Sequence, residues 1–106
     1  MDYLEQCIDV INDYYEEEFG EDSIVDRNKL DNVGLLYTTY ELDDGGEVDV
    51  QVTADLINCR ITFEAYGDID VYEEEQFNSL QDMYDWLYSY CDWDELYFQM
   101  GRRIPE

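Results

Sequence analysis

The chain has 106 residues, of which 45% are hydrophobic and 16% aromatic, and its 29 Asp and Glu against five Lys and Arg give a formal net charge of -24. The large apolar and aromatic fraction excludes a disordered acidic tail and is typical of one folded domain with its own core. The absence of histidine excludes Ser-His-Asp and Cys-His catalysis. We therefore expect residues 1–106 to form a single domain that displays its acids on a folded scaffold.

The predicted elements begin with an amphipathic helix over residues 2–19, whose apolar residues recur at spacings of three and four. Gly20 follows it as a natural C-terminal stop. The opposite face is acidic, and three consecutive glutamates, residues 16–18, oppose the helix dipole near the C-terminus. A property other than helix stability therefore maintains these acids. Residues 20–33 show no clear period and predict a loop with space for a helical turn.

A sheet is predicted next. Residues 34–42 are rich in strand formers, and the Asp-Asp-Gly-Gly turn signal at 43–46 leads to strict alternation over 47–56. Residues 58–66 alternate again, and the short connection before them predicts an antiparallel neighbour. Residues 68–72 repeat the alternation more weakly, which favours a fourth strand at a sheet edge. The three or four strands should therefore form an antiparallel sheet with one face covered by other elements and one face exposed to solvent.

The C-terminal part predicts a second helix. It begins at Ser79, where Ser-Leu-Gln-Asp approximates a capping box, and Met83 and Leu87 belong to its buried stripe. Asp92 is placed to cap one more short turn, after which residues 98–106 read as a short tail. The fold class is therefore α+β, a three- or four-stranded antiparallel sheet flanked by an N-terminal and a C-terminal helix.

Several chemical functions lack the residues they need. Cys7, Cys59 and Cys91 are odd in number and lie among apolar residues, which favours buried thiols in a reducing cytoplasm over disulfides. No segment matches an EF-hand loop and there is no CxxC motif, so we expect no metal site and no cofactor. Among 29 acids any carboxylate spacing occurs by chance, so we expect no enzyme. The acidic N-terminus and the lack of an 18-residue apolar run predict a soluble, cytoplasmic protein.

The net charge is comparable in magnitude with that of DNA. A compact chain of this length has a radius of gyration of roughly 13 Å and a diameter of about 33 Å. About 33 Å of duplex DNA carries about 20 phosphates. The charge of -24 also exceeds the magnitude of about 2 to 8 that keeps a small domain soluble. A positive groove built for DNA should therefore meet a similar potential on this surface.

High negative charge, small size, an aromatic complement that builds a core and the lack of a catalytic motif are found together in this chain. In these features it resembles the DNA-mimic proteins of phages and mobile elements, such as antirestriction and anti-CRISPR inhibitors. The resemblance is one of overall character and carries no family motif. It implies a non-catalytic protein that occupies the DNA- or RNA-binding surface of a basic enzyme or regulator, and that binds neither nucleic acid nor membrane itself.

The candidate partner-binding residues are three groups of acids and two tryptophans set among acids. Tryptophan and tyrosine anchor many protein interfaces, and their rings attract cations. The candidates are Asp9, Asp13, Glu16, Glu17 and Glu18 on the first helix; Asp43, Asp44, Glu47 and Asp49 at the hairpin; Asp68, Asp70, Glu73, Glu74 and Glu75 at the junction of the last strand with the second helix; and Trp86 and Trp93.

Two other classes of function remain open from the sequence. An adaptor, immunity protein or accessory factor would bind a basic partner unrelated to nucleic acid, and surface rings among Trp86, Tyr88, Tyr90 and Trp93 would then dominate affinity. A structural domain from a high-salt cytoplasm would also be acidic. The sequence also leaves open whether exposed apolar surface makes a homodimer.

Overall fold

The computed structural model describes residues 2–20 and 28–104, which fold into three helices and four strands. In chain order these are α1 (Tyr3–Phe19), β1 (Val33–Glu41), β2 (Glu47–Asp55), β3 (Arg60–Gly67), β4 (Val71–Gln76), α2 (Leu80–Tyr90) and α3 (Trp93–Arg103). Each strand pairs antiparallel with the next, so β1 and β4 form the two edges of the sheet. The expected α+β fold is confirmed, with four strands in the sheet.

α1 begins and ends where its sequence predicts. The side chain of Asp2 caps the N-terminus by accepting a hydrogen bond of 3.0 Å from the Leu4 N–H. Gly20 ends the helix in the left-handed conformation, with a φ of 67°, which glycine adopts without strain. The expected loop over residues 20–33 falls partly on residues 21–27, which lie outside the described residues.

Strict alternation in the two central strands separates a covered face of the sheet from an open one. The apolar residues of β2, from Val48 to Ala54, are at most 1% exposed, and Val52 lies opposite Phe63 of β3. They share one core with buried residues of α1, α2 and α3, such as Ile11 and Leu96. All three helices therefore cover the same face of the sheet. The polar residues that alternate with the apolar ones along β2 and β3 point to the opposite, open face.

The fourth strand lies later in the chain than its weak alternation predicts. β4 spans Val71–Gln76, so residues 68–72 are mostly the β3–β4 turn and the three glutamates at 73–75 belong to the strand itself. Every residue of β4 after Val71 is exposed. An edge strand has only one neighbour and borders solvent, so burial imposes no alternation there that the sequence could show.

A third helix replaces the predicted C-terminal tail. Asp92 caps it by accepting a hydrogen bond of 3.1 Å from the Glu95 N–H, as expected, but the helix continues for 11 residues to Arg103. Met100 is fully buried and Ile104 is 7% exposed, so this segment belongs to the core. The expectation of a tail over residues 98–106 is therefore wrong for the described part of that range.

The three cysteines are all free thiols. Cys7 is buried, whereas Cys59 and Cys91 are half-buried. Burial raises the pKa of Cys7 to about 11 and, with a contribution from the charge of Asp92, that of Cys91 to about 12. Both groups are therefore protonated, unreactive thiols near neutral pH.

Candidate acidic binding surface

All fourteen acidic candidates have exposed side chains. The fold regroups them, because residues distant in the sequence meet at two places. We name four groups: the α1 row (Asp9, Asp13 and Glu16), the helix-junction cluster (Glu17, Glu18, Asp92 and Asp94), the turn cluster (Asp43, Asp44, Asp68 and Asp70) and the β4 acids (Glu73, Glu74 and Glu75).

The helix-junction cluster forms where the end of α1 approaches the start of α3. Loss of surrounding water, together with the negative charges of Asp92, Asp94 and Glu17, raises the pKa of Glu18 above its ordinary value. Asp92 and Asp94 were not among the sequence candidates. Their only signal in the sequence was their position beside Trp93, since the approach of α1 to α3 depends on tertiary packing.

The turn cluster joins the β1–β2 turn to the β3–β4 turn. Asp68 accepts a hydrogen bond of 3.1 Å from the Glu47 N–H through its Oδ2, and its own N–H donates to the Glu47 carbonyl at 3.3 Å. Asp44 Oδ1 accepts from the Gly46 N–H at 2.9 Å. A Cβ atom at position 46 would clash with Asp68 Oδ2, so glycine there leaves room for this carboxylate. Carboxylates that the sequence placed in two separate groups therefore form one.

The β4 acids do not lie at a junction with α2, as the sequence suggested, but in the middle of the edge strand. Two of them face cations of the same chain. Glu73 Oε2 lies 2.8 Å from Arg103 Nε, and Glu74 Oε1 lies 3.6 Å from Arg60 Nη1. These two carboxylates therefore offer less unbalanced charge to a partner than those of the turn cluster.

The open face of the sheet combines acids with tyrosine rings. Asp49 accepts a hydrogen bond of 2.9 Å from the Thr39 hydroxyl and lies opposite Tyr66. Glu64 accepts one of 2.6 Å from Gln51 Nε2 and lies opposite Tyr72. Alternation placed Asp49 and Glu64 on this face, but it gave no reason to select the tyrosines as candidates.

Trp86 and Trp93 are half-buried and pack against the core. The Trp86 ring centroid lies 6.4 Å from that of Phe63 and 6.2 Å from that of Phe77. An aromatic stripe at helical spacing usually belongs to a core, and this explains why both tryptophans turn inward. The large side chains that the structure leaves exposed are instead Tyr37, Ile57, Tyr66, Tyr72, Tyr88, Tyr97 and Phe98.

Cations of the described residues lie mostly against groups of the same chain. Arg60 Nη2 lies 3.2 Å from Asp55 Oδ2, in addition to its contact with a β4 acid. The guanidinium of Arg102 lies over the Phe98 ring, 5.7 Å from its centroid. The positive charges therefore do little to interrupt the negative surface.

The helix-junction and turn clusters lie at opposite ends of β1. The Tyr14 hydroxyl, next to the helix junction on α1, donates a hydrogen bond of 2.6 Å to the Leu35 carbonyl near the start of β1. The turn cluster follows Glu41 at its end. Glu41 lies six residues after Leu35 along the strand, which corresponds to about 20 Å. The principal axes of the structure measure 49 × 31 × 23 Å, so the charge of the described residues extends along an elongated body.

Comparison of the chain with protein-family models, with curated proteins and with solved structures finds no match. Among the described residues, no three Cys, Asp or Glu side chains are arranged to hold a metal ion. In the same part of the chain no helix is long and apolar enough to cross a membrane. The function therefore has to be inferred from charge, exposure and geometry.

Proposed function

We propose that this protein is a non-catalytic inhibitor or regulator of a basic nucleic-acid-binding protein, and that it occupies the partner's DNA- or RNA-binding surface as a nucleic-acid mimic. The observation that carries the proposal is the exposure of all fourteen acidic candidates on a body whose net charge is -24. The most specific version of this proposal is inhibition of a defence nuclease, as antirestriction and anti-CRISPR proteins do.

The density of charge supports mimicry. A duplex as long as the 49 Å axis of the protein would carry roughly 29 phosphates, close to the protein's net charge. Along the α1 row, Asp9 and Asp13 are four residues apart, which corresponds to a rise of about 6 Å. A positively charged groove would therefore encounter carboxylates at short, regular intervals on a rigid element.

The acids at the helix junction oppose the stability of the fold. The raised pKa of Glu18 shows that carboxylates crowd at the helix junction, and the end of α1 has no basic residue to complement its dipole. Such crowding is unfavourable in the free protein and is relieved when a cationic partner binds. The mechanism we propose is competitive: the partner cannot hold nucleic acid while its groove holds this protein.

A cytoplasmic site of action is part of the proposal, because three free thiols suit a reducing compartment where nucleic-acid enzymes work. The partner is expected to be a basic protein, and no direct contact with nucleic acid is required.

A competition experiment tests the proposal. The biotinylated protein is used to capture partners from nuclease-treated host lysate at low ionic strength, and each retained protein is then incubated with a short fluorescent DNA or RNA duplex. Fluorescence anisotropy should show that the labelled duplex is displaced as this protein is added. The apparent dissociation constant of the duplex should rise linearly with the concentration of this protein. A ternary complex that keeps the duplex bound would contradict the proposal.

The exposed rings favour a second candidate, an adaptor or accessory protein whose basic partner is unrelated to nucleic acid. Tyr88 is 74% exposed and Tyr37 is 68% exposed, and tyrosine is among the residues that contribute most to the affinity of protein interfaces. Replacing either ring by alanine should then weaken the captured complex more than neutralising the turn cluster does. Under the favoured proposal the order of the two effects is reversed.

A further inference from the structure

The two edges of the sheet differ in charge. β4 carries three consecutive glutamates at its edge, and such charges discourage pairing with another strand. β1 carries no charged residue from Val33 to Tyr40. Among the described residues only β2 pairs with β1, so the other side of β1 presents backbone N–H and C=O groups that suit a further strand.

Aromatic side chains of α3 lie beside this uncharged edge. Tyr97 stacks on Tyr40 of β1, with the ring centroids 4.2 Å apart, and the Tyr40 hydroxyl donates to the Tyr97 carbonyl. Phe98 is 58% exposed and helps to line a depression of about 370 Å³ next to Tyr40. We name Leu36–Tyr40 together with Trp93, Tyr97 and Phe98 the β1 edge strip.

A second, mainly apolar cavity lies at the other end of the strip. It has a volume of about 250 Å³ and is lined by Tyr15, Trp93, the first half of β1, and Gln51 and Thr53 of β2; the register of β1 shifts here, between Gly34 and Leu36. The strip therefore offers two apolar depressions along one strand. The side chains of a strand added beside β1 would lie next to both depressions.

The charges at the two ends of the strip identify its occupant. The helix-junction cluster lies at the Trp93 end, since Asp92 and Asp94 are neighbours of Trp93 in α3, and the turn cluster follows the other end of β1. Arg102 is a basic residue beside the strip, where it lies over Phe98, and the four acids of the turn cluster outnumber it. A complementary segment is extended, apolar or β-branched in the middle and basic at both ends.

A second copy of this chain is a poor occupant. Antiparallel pairing of two β1 strands would place the turn cluster of each copy near the helix-junction cluster of the other. Each copy also carries a net charge of -24. Like charges brought together in this way oppose association, whereas a basic strand removes the same repulsion.

We propose that the β1 edge strip binds an extended segment of the basic partner as a fifth strand, with lysine or arginine at each end of the segment against the two acidic clusters. This inference rests on the proposed function, which supplies a basic partner, and adds how that partner is held. Backbone hydrogen bonds to β1 provide affinity, and the two depressions select the side chains.

A pair of synthetic peptides tests the inference with the intact protein. The first, acetyl-RTVTVTR-amide, forms a strand with basic ends; the second has proline in place of the central threonine and the same charge, but it pairs poorly as a strand. Binding is followed by amide chemical shifts and hydrogen exchange. We expect the first peptide to bind about tenfold more tightly, which corresponds to roughly 1.4 kcal/mol, and to slow exchange in residues 36–40.

Two variants with one exposed ring removed serve as a matched pair. Phe98→Ala removes a ring of the strip, whereas Tyr72→Ala removes a ring on β4, at the opposite edge of the sheet, that is exposed to a similar degree. We expect only Phe98→Ala to weaken binding of the strand-forming peptide. Equal binding of the two peptides, equal effects of the two variants, or protection of residues 36–40 by self-association at high protein concentration would each overturn the inference.

The outcomes also separate this inference from the proposed function. Equal, salt-sensitive binding of both peptides overturns the strand-addition mode and leaves charge-driven inhibition intact. The protein could also bind the strand-forming peptide selectively and yet fail to displace nucleic acid from its captured partner. That result would support strand addition at the β1 edge strip and contradict the proposed inhibitor function.

Discussion

Arg103 and Glu73 form an ion pair, with 2.8 Å between Nε and Oε2, that joins the last turn of α3 to the middle of β4. The guanidinium carbon of Arg103 also lies 3.8 Å from the centroid of the buried Phe63 ring. One basic side chain thus covers the core at the edge of the sheet and balances part of the charge of the β4 acids.

Replacing Arg103 by glutamine should lower the free energy of unfolding by about 1 kcal/mol, mainly through loss of the contact with Phe63, because a pair that is partly open to solvent contributes little. Urea denaturation measures the effect. Arg102→Gln is the control, since it removes the same charge from a more exposed neighbour. Equal destabilisation by both changes would show that charge alone, and not the position of Arg103, stabilises the fold.

The buried carboxylate of Asp55 should limit stability in acid. Burial opposes its ionisation, but hydrogen bonds from Asn58 and from the Ile57 N–H, together with the charge of Arg60, outweigh burial and hold the pKa of Asp55 below its usual value. Because the folded-state pKa is depressed, this stabilisation is complete above the ordinary aspartate pKa and is lost as the pH falls through the folded-state pKa.

Asp55→Asn should therefore cost about 1–3 kcal/mol near neutral pH, since a buried group loses charged hydrogen bonds, and the cost should shrink in acid. Denaturation over a series of pH values measures this dependence. Asp31→Asn, at an exposed position, is the control. A loss of stability that does not vary with pH would contradict the role assigned to the Asp55 charge.

Neutralising Glu18 should stabilise the protein. Its pKa is raised by loss of surrounding water and by the charges of Asp92, Asp94 and Glu17, so the ionised form is disfavoured in the folded state. The unfavourable contribution develops as the pH rises through the unfolded-state pKa towards the folded one, and it is absent in acid.

Glu18→Gln should thus raise the melting temperature at neutral pH, and the gain should diminish in high salt, which screens the cluster. Asp9→Asn, on the same helix but outside the helix-junction cluster, provides the comparison. A gain from Glu18→Gln no larger than that from Asp9→Asn would show that the cluster has no special effect.

The protein should fold without high salt, because its buried core is that of an ordinary apolar domain and only its surface is acidic. Melting curves by circular dichroism should show a cooperative transition at low ionic strength and a modest rise in melting temperature with added salt. A fold that forms only at molar salt would instead support a structural domain adapted to a saline cytoplasm.

The sequence predicts best those elements that have one buried face. β2 and β3 alternate strictly because helices cover one of their faces, and residues that cap helices mark both ends of α1 and the start of α2. β4 was misplaced because an exposed edge strand has no buried face to impose a period. α3 was missed because only Leu96 and Met100 are buried in it, and Gly101 followed by two arginines is also typical of a tail.

The two acidic clusters differ in how far they could be foreseen. An antiparallel meander of four strands places its first and third turns at the same end of the sheet, so the meeting of Asp44 with Asp68 follows from the predicted topology. The helix-junction cluster does not follow in this way. It depends on how α1 packs beside α3, and the missing third helix left Asp92 and Asp94 without a location.

The central claim is that the acids are arranged to bind in a cationic groove and do not merely keep the protein in solution. Its most direct test is the dissociation constant of the captured complex, measured across a range of salt concentrations for two variants that each remove three negative charges. Asp43→Asn/Asp44→Asn/Asp70→Asn neutralises three of the four acids of the turn cluster and keeps a side-chain oxygen at position 44 that accepts from the Gly46 N–H, whereas Asp31→Asn/Asp82→Asn/Asp85→Asn neutralises exposed acids outside the four groups.

We predict that the turn-cluster variant binds more weakly and with a flatter dependence on salt, while the control variant stays close to the unmodified protein. Indistinguishable dissociation constants and salt dependences for the two variants would contradict the claim.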